Sequence, residues 1–201
     1  MGIMRSLKRM GVYIGIAVFA LLLASCGNNK GIPDSTSWEV GDFKFKNQDG
    51  EMVSLDDLKG KVWVSNLIFT NCVDVCLPMT SNMAKLQKEL KAQGIEDVEL
   101  ISFSVDPTVD TPEVLKQYGG NYGADYSNWS FLTGYSQETI EQLARETFHT
   151  SAIKPEDNNQ VIHGTSFYLV SPDGVVVKSY DGVKDFPMDE LIKHIKILQS
   201  Y

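Results

Sequence analysis

From residue 38 onward the chain alternates short apolar runs with polar breaks marked by Gly, Pro, Asn and Asp, without internal repeats or low-complexity stretches. Residues 61–70 (KVWVSNLIFT) are mostly apolar and rich in β-branched side chains, which predicts a strand buried on both faces. Met79, Met83, Leu86 and Leu90 follow at helical spacing, and Gly94 closes that helix. The same spacing makes Met79 and Met83 core residues rather than thioether ligands. Residues 99–105 (ELISFSV) predict a second central strand. Thr111 followed by Pro112 reads as an N-cap and a first helical position, opening a helix through about Tyr118. Phe131 and Leu132 predict a short strand, and Ser136 caps a helix carrying Ile140, Leu143 and Ala144. Met188, Leu191, Ile192, Ile195 and Leu198 form the stripe of a final helix.

Two hairpins complete the pattern. Residues 43–46 and 52–54 flank the turn signal Asn47-Gln48-Asp49-Gly50, and residues 166–170 and 175–179 flank Ser171-Pro172-Asp173-Gly174. Strands alternating with helices, then a hairpin and a helix, describe an α/β sheet covered on both faces. Order and length fit a thioredoxin-like fold with an added N-terminal β-hairpin. Sites in open α/β sheets lie beyond the carboxyl ends of the strands, which is where residues 70–78 fall.

The amino terminus predicts a different fate. Arg5, Lys8 and Arg9 precede an apolar run over residues 12–24. Thirteen residues at 1.5 Å each fall short of a bilayer core of about 30 Å, so the run reads as a signal-peptide segment, not a stable membrane helix. It ends in Leu23-Ala24-Ser25-Cys26, which resembles a bacterial lipobox whose cysteine is lipidated. The expected organisation is therefore a signal peptide over 1–25, a flexible tether over 26–37 and a folded domain over 38–201. The domain would be lipid-anchored on the extracytoplasmic face of the cell membrane, where thiols oxidise unless a partner keeps them reduced. The 201-residue chain carries a net charge of −8, and losing the three basic residues of the leader takes it to −11, which argues against nucleic acid as a partner.

Three cysteines are too few for a disulfide scaffold but enough for one redox or metal site and one odd residue. Cys72 and Cys76 stand four apart at a helix start, a spacing that turns both sulfurs toward one point. Unpaired amides at a helix start favour negative charge, so a lowered thiol pKa is expected there. Such thiolates exchange with disulfides and select soft cations such as Cu(I) and Zn. An inert structural disulfide is the alternative, although a loop this short gains little from closure.

Copper in both oxidation states calls for a third ligand, usually imidazole. His194 sits between Lys193 and Ile195, off the apolar stripe, and is expected to be solvated. His149 follows Phe148 near a helix carboxyl end, where a cation is favoured by the dipole alone. His163 lies just before the apolar strand at residues 167–170, and in a thioredoxin-like fold that loop faces the dithiol. Thioredoxins place a proline there, and this chain does not.

These residues resemble the Sco/SenC family of copper-binding assembly proteins over nearly the whole chain from Trp38. The marks are Phe69-Thr70-Asn71-Cys72 through Cys76, Ser102-Phe103-Ser104-Val105-Asp106-Pro107, Asp110-Thr111-Pro112, Phe131-Leu132-Thr133-Gly134, and His163 ahead of Phe167-Tyr168-Leu169-Val170 with Pro172-Asp173-Gly174. The resemblance implies Cys72, Cys76 and His163 as copper ligands. It also implies delivery of copper to the dinuclear site of cytochrome c oxidase subunit II, or reduction of that site's cysteines. One departure is Leu77, where the family usually places proline directly after the second cysteine.

Asp106 ends a strand beside the cleft, either supporting a ligand or starting an Asp-Pro turn. Trp129 and Tyr168 read as packing residues. Two function classes stand: a copper-binding assembly factor carrying Cu(I) or Cu(II), and a membrane-tethered thiol–disulfide oxidoreductase working through mixed disulfides. Dedicated reductases of this fold usually carry C-x-x-C and the loop proline, and this chain has neither, which favours the first. A peroxidatic site fits least, because Thr70-Asn71-Cys72 is one residue short of T-x-x-C.

Overall fold

The computed structural model describes residues 31–72 and 76–200. Its centre is a six-stranded sheet in the order β1-β10-β9-β4-β5-β6. These strands are β1 (Trp38–Glu39), β4 (Val62–Ile68), β5 (Val98–Ser104), β6 (Trp129–Leu132), β9 (Ser166–Val170) and β10 (Val175–Asp181). The three strands β4, β5 and β6 run parallel, whereas β9 pairs antiparallel with both β4 and β10. A separate hairpin of β2 (Lys44–Lys46) and β3 (Met52–Ser54) precedes the first central strand, and a second small ribbon joins β7 (Ala152–Ile153) to β8 (Ile162–His163). Parallel strands joined to an antiparallel hairpin make the fold thioredoxin-like, with the expected hairpin added at its start.

The helices are α1 (Leu55–Leu58), α2 (Cys76–Ala92), α3 (Pro112–Asn121), α4 (Gln137–Thr147) and α5 (Met188–Gln199). Every residue of β4 is buried, and its alternation feeds two cores. Val62, Val64 and Ile68 meet α2, α3 and α5 through Met79, Met83, Leu115 and Leu191. Trp63 and Leu67 point the other way, with Phe69 just beyond the strand, toward Leu55, Ile140, Leu143 and Phe148. Each such side chain contributes about 1.5–3 kcal/mol of burial free energy, so the fold holds β4 from both sides. That rigidity matters because the cysteine loop hangs from its carboxyl end.

Local signals act as expected. Thr111 and Ser136 each accept a backbone N–H three residues on, from Val114 and Thr139. Gly94 takes φ +64°, a left-handed conformation that glycine adopts without strain, and ends the α2 segment. Trp129 and Tyr168 are buried packing residues.

Two features differ from expectation. His194 is buried, not solvated, and its Nδ1 lies 2.7 Å from the Tyr180 hydroxyl. It stands three residues after Leu191 and four before Leu198, so it shares their face, and the tyrosine satisfies the nitrogen that burial removes from water. Residues 31–37, expected within a flexible tether, are bound to the domain. Ile32 is buried, and Thr36 donates to the carbonyls of Val177 (2.8 Å) and Val176 (2.6 Å). The leader over 1–25 and tether residues 26–30, Cys26 included, lie outside the described residues. Among the described residues no helix is long and apolar enough to cross a membrane. His149, at φ +50° after the end of α4, stacks on Trp38 with ring centroids 4.3 Å apart.

Candidate metal centre

Beyond β4 the chain turns at Phe69, whose carbonyl accepts the Cys72 N–H at 3.3 Å. Four residues later α2 begins at Cys76, and the Cys76 N–H donates to Cys72 Sγ at 3.3 Å. A first-turn amide thus points at the first sulfur, as a helix start allows. Both cysteines are thiols, with Cys76 fully buried and Cys72 7% exposed. Leu77 is exposed and Pro78 sits in the first helical turn, where no intrahelical N–H bond is lost, so the departure at Leu77 leaves the helix start intact.

His163 arrives on the β7–β8 ribbon. Ala152 pairs with His163 and Ile153 with Ile162. Strand alternation turns buried Ala152 and half-buried His163 inward, leaving Ile153 and Ile162 exposed. His163 Nε2 stands 3.2 Å from Cys76 Sγ, and Nδ1 lies 2.8 Å from the Gly164 carbonyl. A carbonyl only accepts, so Nδ1 carries the proton and Nε2 turns its lone pair toward the sulfurs. The Phe69 ring meets the imidazole edge-on at 5.6 Å. The ribbon is tied down by Gln160 Nε2, which donates to the Asn71 carbonyl at 3.0 Å, and by Lys154, which reaches Asp106 at 2.6 Å and Thr108 at 2.9 Å.

The two sulfurs and the imidazole nitrogen all lie within 4.8 Å of one another. Metal–sulfur and metal–nitrogen bonds of about 2.0–2.3 Å place ligands roughly 3.5–4 Å apart, so a small inward movement closes the set on one ion. Two thiolates and an imidazole suit copper or zinc rather than magnesium or calcium.

The expected lowering of thiol pKa does not hold for Cys76. Burial pushes its thiol well above the ordinary cysteine range, and the Cys72 hydrogen bond adds to the rise. Desolvation at a fully buried sulfur outweighs the helix-start field. A proton must therefore leave Cys76 when a cation enters, while His163 Nε2 keeps its lone pair for the ion.

Asp106 is buried, and its carboxylate accepts from Lys154 and Thr108. None of these bonds reaches the cysteines or His163; the residue anchors the histidine ribbon instead. Sequence reasoning named Asp110 only within a family mark and gave it no role, yet the residue is fully buried and accepts the Thr70 hydroxyl at 2.5 Å and the Ser104 hydroxyl at 2.5 Å. It also missed Lys154 and Gln160, because nothing in a polar loop marks which residues reach across a cleft.

Known proteins resemble this chain in both sequence and fold. The family model described as SCO1/SenC matches residues 33–199. A SCO1/SenC family lipoprotein from Bacillus anthracis superposes with a TM-score of 0.81 at 48% identity, covering 84% of this chain and 99% of that one. BsSco, a member of the Sco family of cytochrome c oxidase assembly proteins in which a disulfide switch was identified, gives 0.78 at 51% identity over 84% and 98%. Copper-bound ScoI from Arabidopsis thaliana gives 0.66 at 30% identity over 80% and 98%.

Proposed function

The chain belongs to the SCO1/SenC family, and on that premise we propose that Cys72, Cys76 and His163 hold copper for assembly of the dinuclear site in cytochrome c oxidase subunit II. The observation that carries the reading is the convergence of two sulfurs and one correctly presented imidazole nitrogen within 4.8 Å. Copper here is cargo. Two thiolates suffice for Cu(I), and the imidazole adds the nitrogen that Cu(II) prefers. His163 is half-buried while Cys76 is enclosed, so an acceptor would meet the imidazole side first and displace ligands in turn. Copper-bound ScoI and the oxidase-assembly role of BsSco support the cargo and the destination. Lipidation at Cys26 would hold the domain on the extracytoplasmic face, a reading supported by the lipobox and by the lipoprotein relative.

The test is oxidase activity in a strain whose only copy carries His163→Ala, with the protein folded and present at normal level. Copper delivery predicts failed assembly even though the dithiol still cycles in a thiol assay. Normal activity there, with loss in Cys72→Ser, would instead identify a thiol–disulfide oxidoreductase that reduces the subunit II cysteines and needs no third ligand.

A further inference from the structure

We propose that Asp110 is a positioning residue for the metal centre: acting through Thr70, it sets Cys72 against Cys76 and His163. The inference rests on the copper reading only for one of its two readouts.

The backbone ladder between β4 and β5 ends where the Val105 N–H donates to the Ile68 carbonyl at 2.8 Å. Past that point a side chain replaces the neighbouring strand. Asp110 Oδ1 accepts the Thr70 hydroxyl at 2.5 Å, and both carboxylate oxygens lie 3.3 Å from the Thr70 amide nitrogen. Oδ2 accepts the Ser104 hydroxyl at 2.5 Å. The backbone of Asp110 is held as well, its N–H donating to the Asp106 carbonyl at 2.9 Å and its carbonyl accepting the Thr133 hydroxyl at 2.7 Å. Fixed from the β5 and β6 side, the carboxylate reaches across and grips the chain two residues before Cys72. On the far side of the cysteine loop, Gln160 grips Asn71.

A fully buried carboxylate is costly without a cation, and the nearby Lys154 pairs with Asp106 instead. Three donors converging on the two Asp110 oxygens offset part of that cost, while burial still holds the carboxyl above its ordinary range. An amide keeps only one acceptor oxygen, so its NH2 must face either the Thr70 amide, which only donates, or a hydroxyl turned round to accept. The arrangement is therefore best met by a carboxylate, and its output is the placement of Thr70. Supporting groups of this kind alter metal affinity by about 10–100-fold when removed.

The experiment compares Asp110→Asn, Thr70→Val, their double variant and Thr70→Ser. The copper-free readout is the equilibrium of the Cys72–Cys76 dithiol with reduced and oxidised dithiothreitol. The second readout is Cu(II) titration followed by thiolate-to-copper absorption. Asp110→Asn and Thr70→Val should each shift the dithiol equilibrium, move the absorption band and weaken Cu(II) by about tenfold or more. The double variant should be no worse than the poorer single one, and Thr70→Ser should behave as wild type. Leu198→Ala, on the core face of α5, supplies a control that loses thermal stability with both readouts unchanged. Loss of stability in Asp110→Asn with both readouts intact, or additive effects in the double variant, would overturn the proposal. If Asp110→Asn does not fold, the Thr70→Val and Thr70→Ser pair decides. If wild type takes up no Cu(II), the copper reading fails while the dithiol equilibrium still decides the role of Asp110.

Discussion

His163 Nε2 and Cys76 Sγ stand 3.2 Å apart although 87 residues separate them in the chain. The contact joins two rigid supports of different kinds. Cys76 opens a long helix packed under the central sheet, whereas His163 rides on a two-stranded ribbon outside that sheet. The ribbon buries little beyond Ala152 and Val161, so its ties to the body of the domain decide whether the imidazole stays over the sulfurs.

Lys154 is the strongest of those ties. Its ammonium pairs at 2.6 Å with Asp106, whose side chain is 2% exposed against 25% for the lysine. Removing the lysine leaves a buried carboxylate short of a partner, at a cost of about 1–3 kcal/mol after allowing for solvent at the lysine end. Lys154→Ala should speed amide hydrogen exchange across residues 152–163 and lower the thermal midpoint, with little change in α2 or α5. Unchanged exchange in that segment would show that the ribbon holds itself.

His194 should give the domain a stability that depends on pH. Burial holds its imidazole below the ordinary value of 6.5, with Lys178 and Lys193 adding to the effect and Glu190 opposing it. Above pH 6.5 both folded and unfolded forms are neutral there, and the contribution is fully present. As pH falls through 6.5 the unfolded chain binds a proton that the folded state refuses, and stability is lost toward the lower folded value. Thermal unfolding at pH 7.5 and 5.5 should therefore show a smaller acid loss in His194→Gln than in wild type. Equal losses would place the acid sensitivity elsewhere.

The central strands, the long helices and both predicted hairpins were legible because burial on two faces leaves continuous apolar runs and caps leave Thr, Ser, Pro and Gly at fixed offsets. The convergence of Cys72, Cys76 and His163 was legible for a different reason, since few residue types can do this chemistry and the fold class says which loops meet. His194 was misjudged because a stripe of five apolar residues looks narrower than the face it marks, and a buried tyrosine hydroxyl can satisfy a histidine. The thiol at Cys76 was misjudged because helix-start position is visible in sequence whereas depth of burial is not. Asp110 and Lys154 stayed hidden because their partners lie 40 and 48 residues away.

Cys26 carries the expectation about location. A lipidated cysteine should take the mature protein into the membrane fraction, and Cys26→Ala should leave it uncleaved or released. Fractionation with radiolabelled palmitate would check both. A Cys26→Ala protein that is cleaved normally and stays firmly membrane-bound would contradict the lipobox.

The central claim is that these three side chains form one copper site, and X-ray absorption at the copper edge tests it most directly. The reduced domain lacking its leader would be loaded separately with Cu(I) and Cu(II), as wild type and as His163→Ala. Wild type loaded with Cu(II) should show two sulfur neighbours and one imidazole nitrogen. His163→Ala should lose the imidazole signal and bind Cu(II) more weakly by about 10–100-fold, while its affinity for Cu(I) changes far less. An unaltered imidazole signal in His163→Ala, or copper without two sulfur neighbours in wild type, would contradict the account.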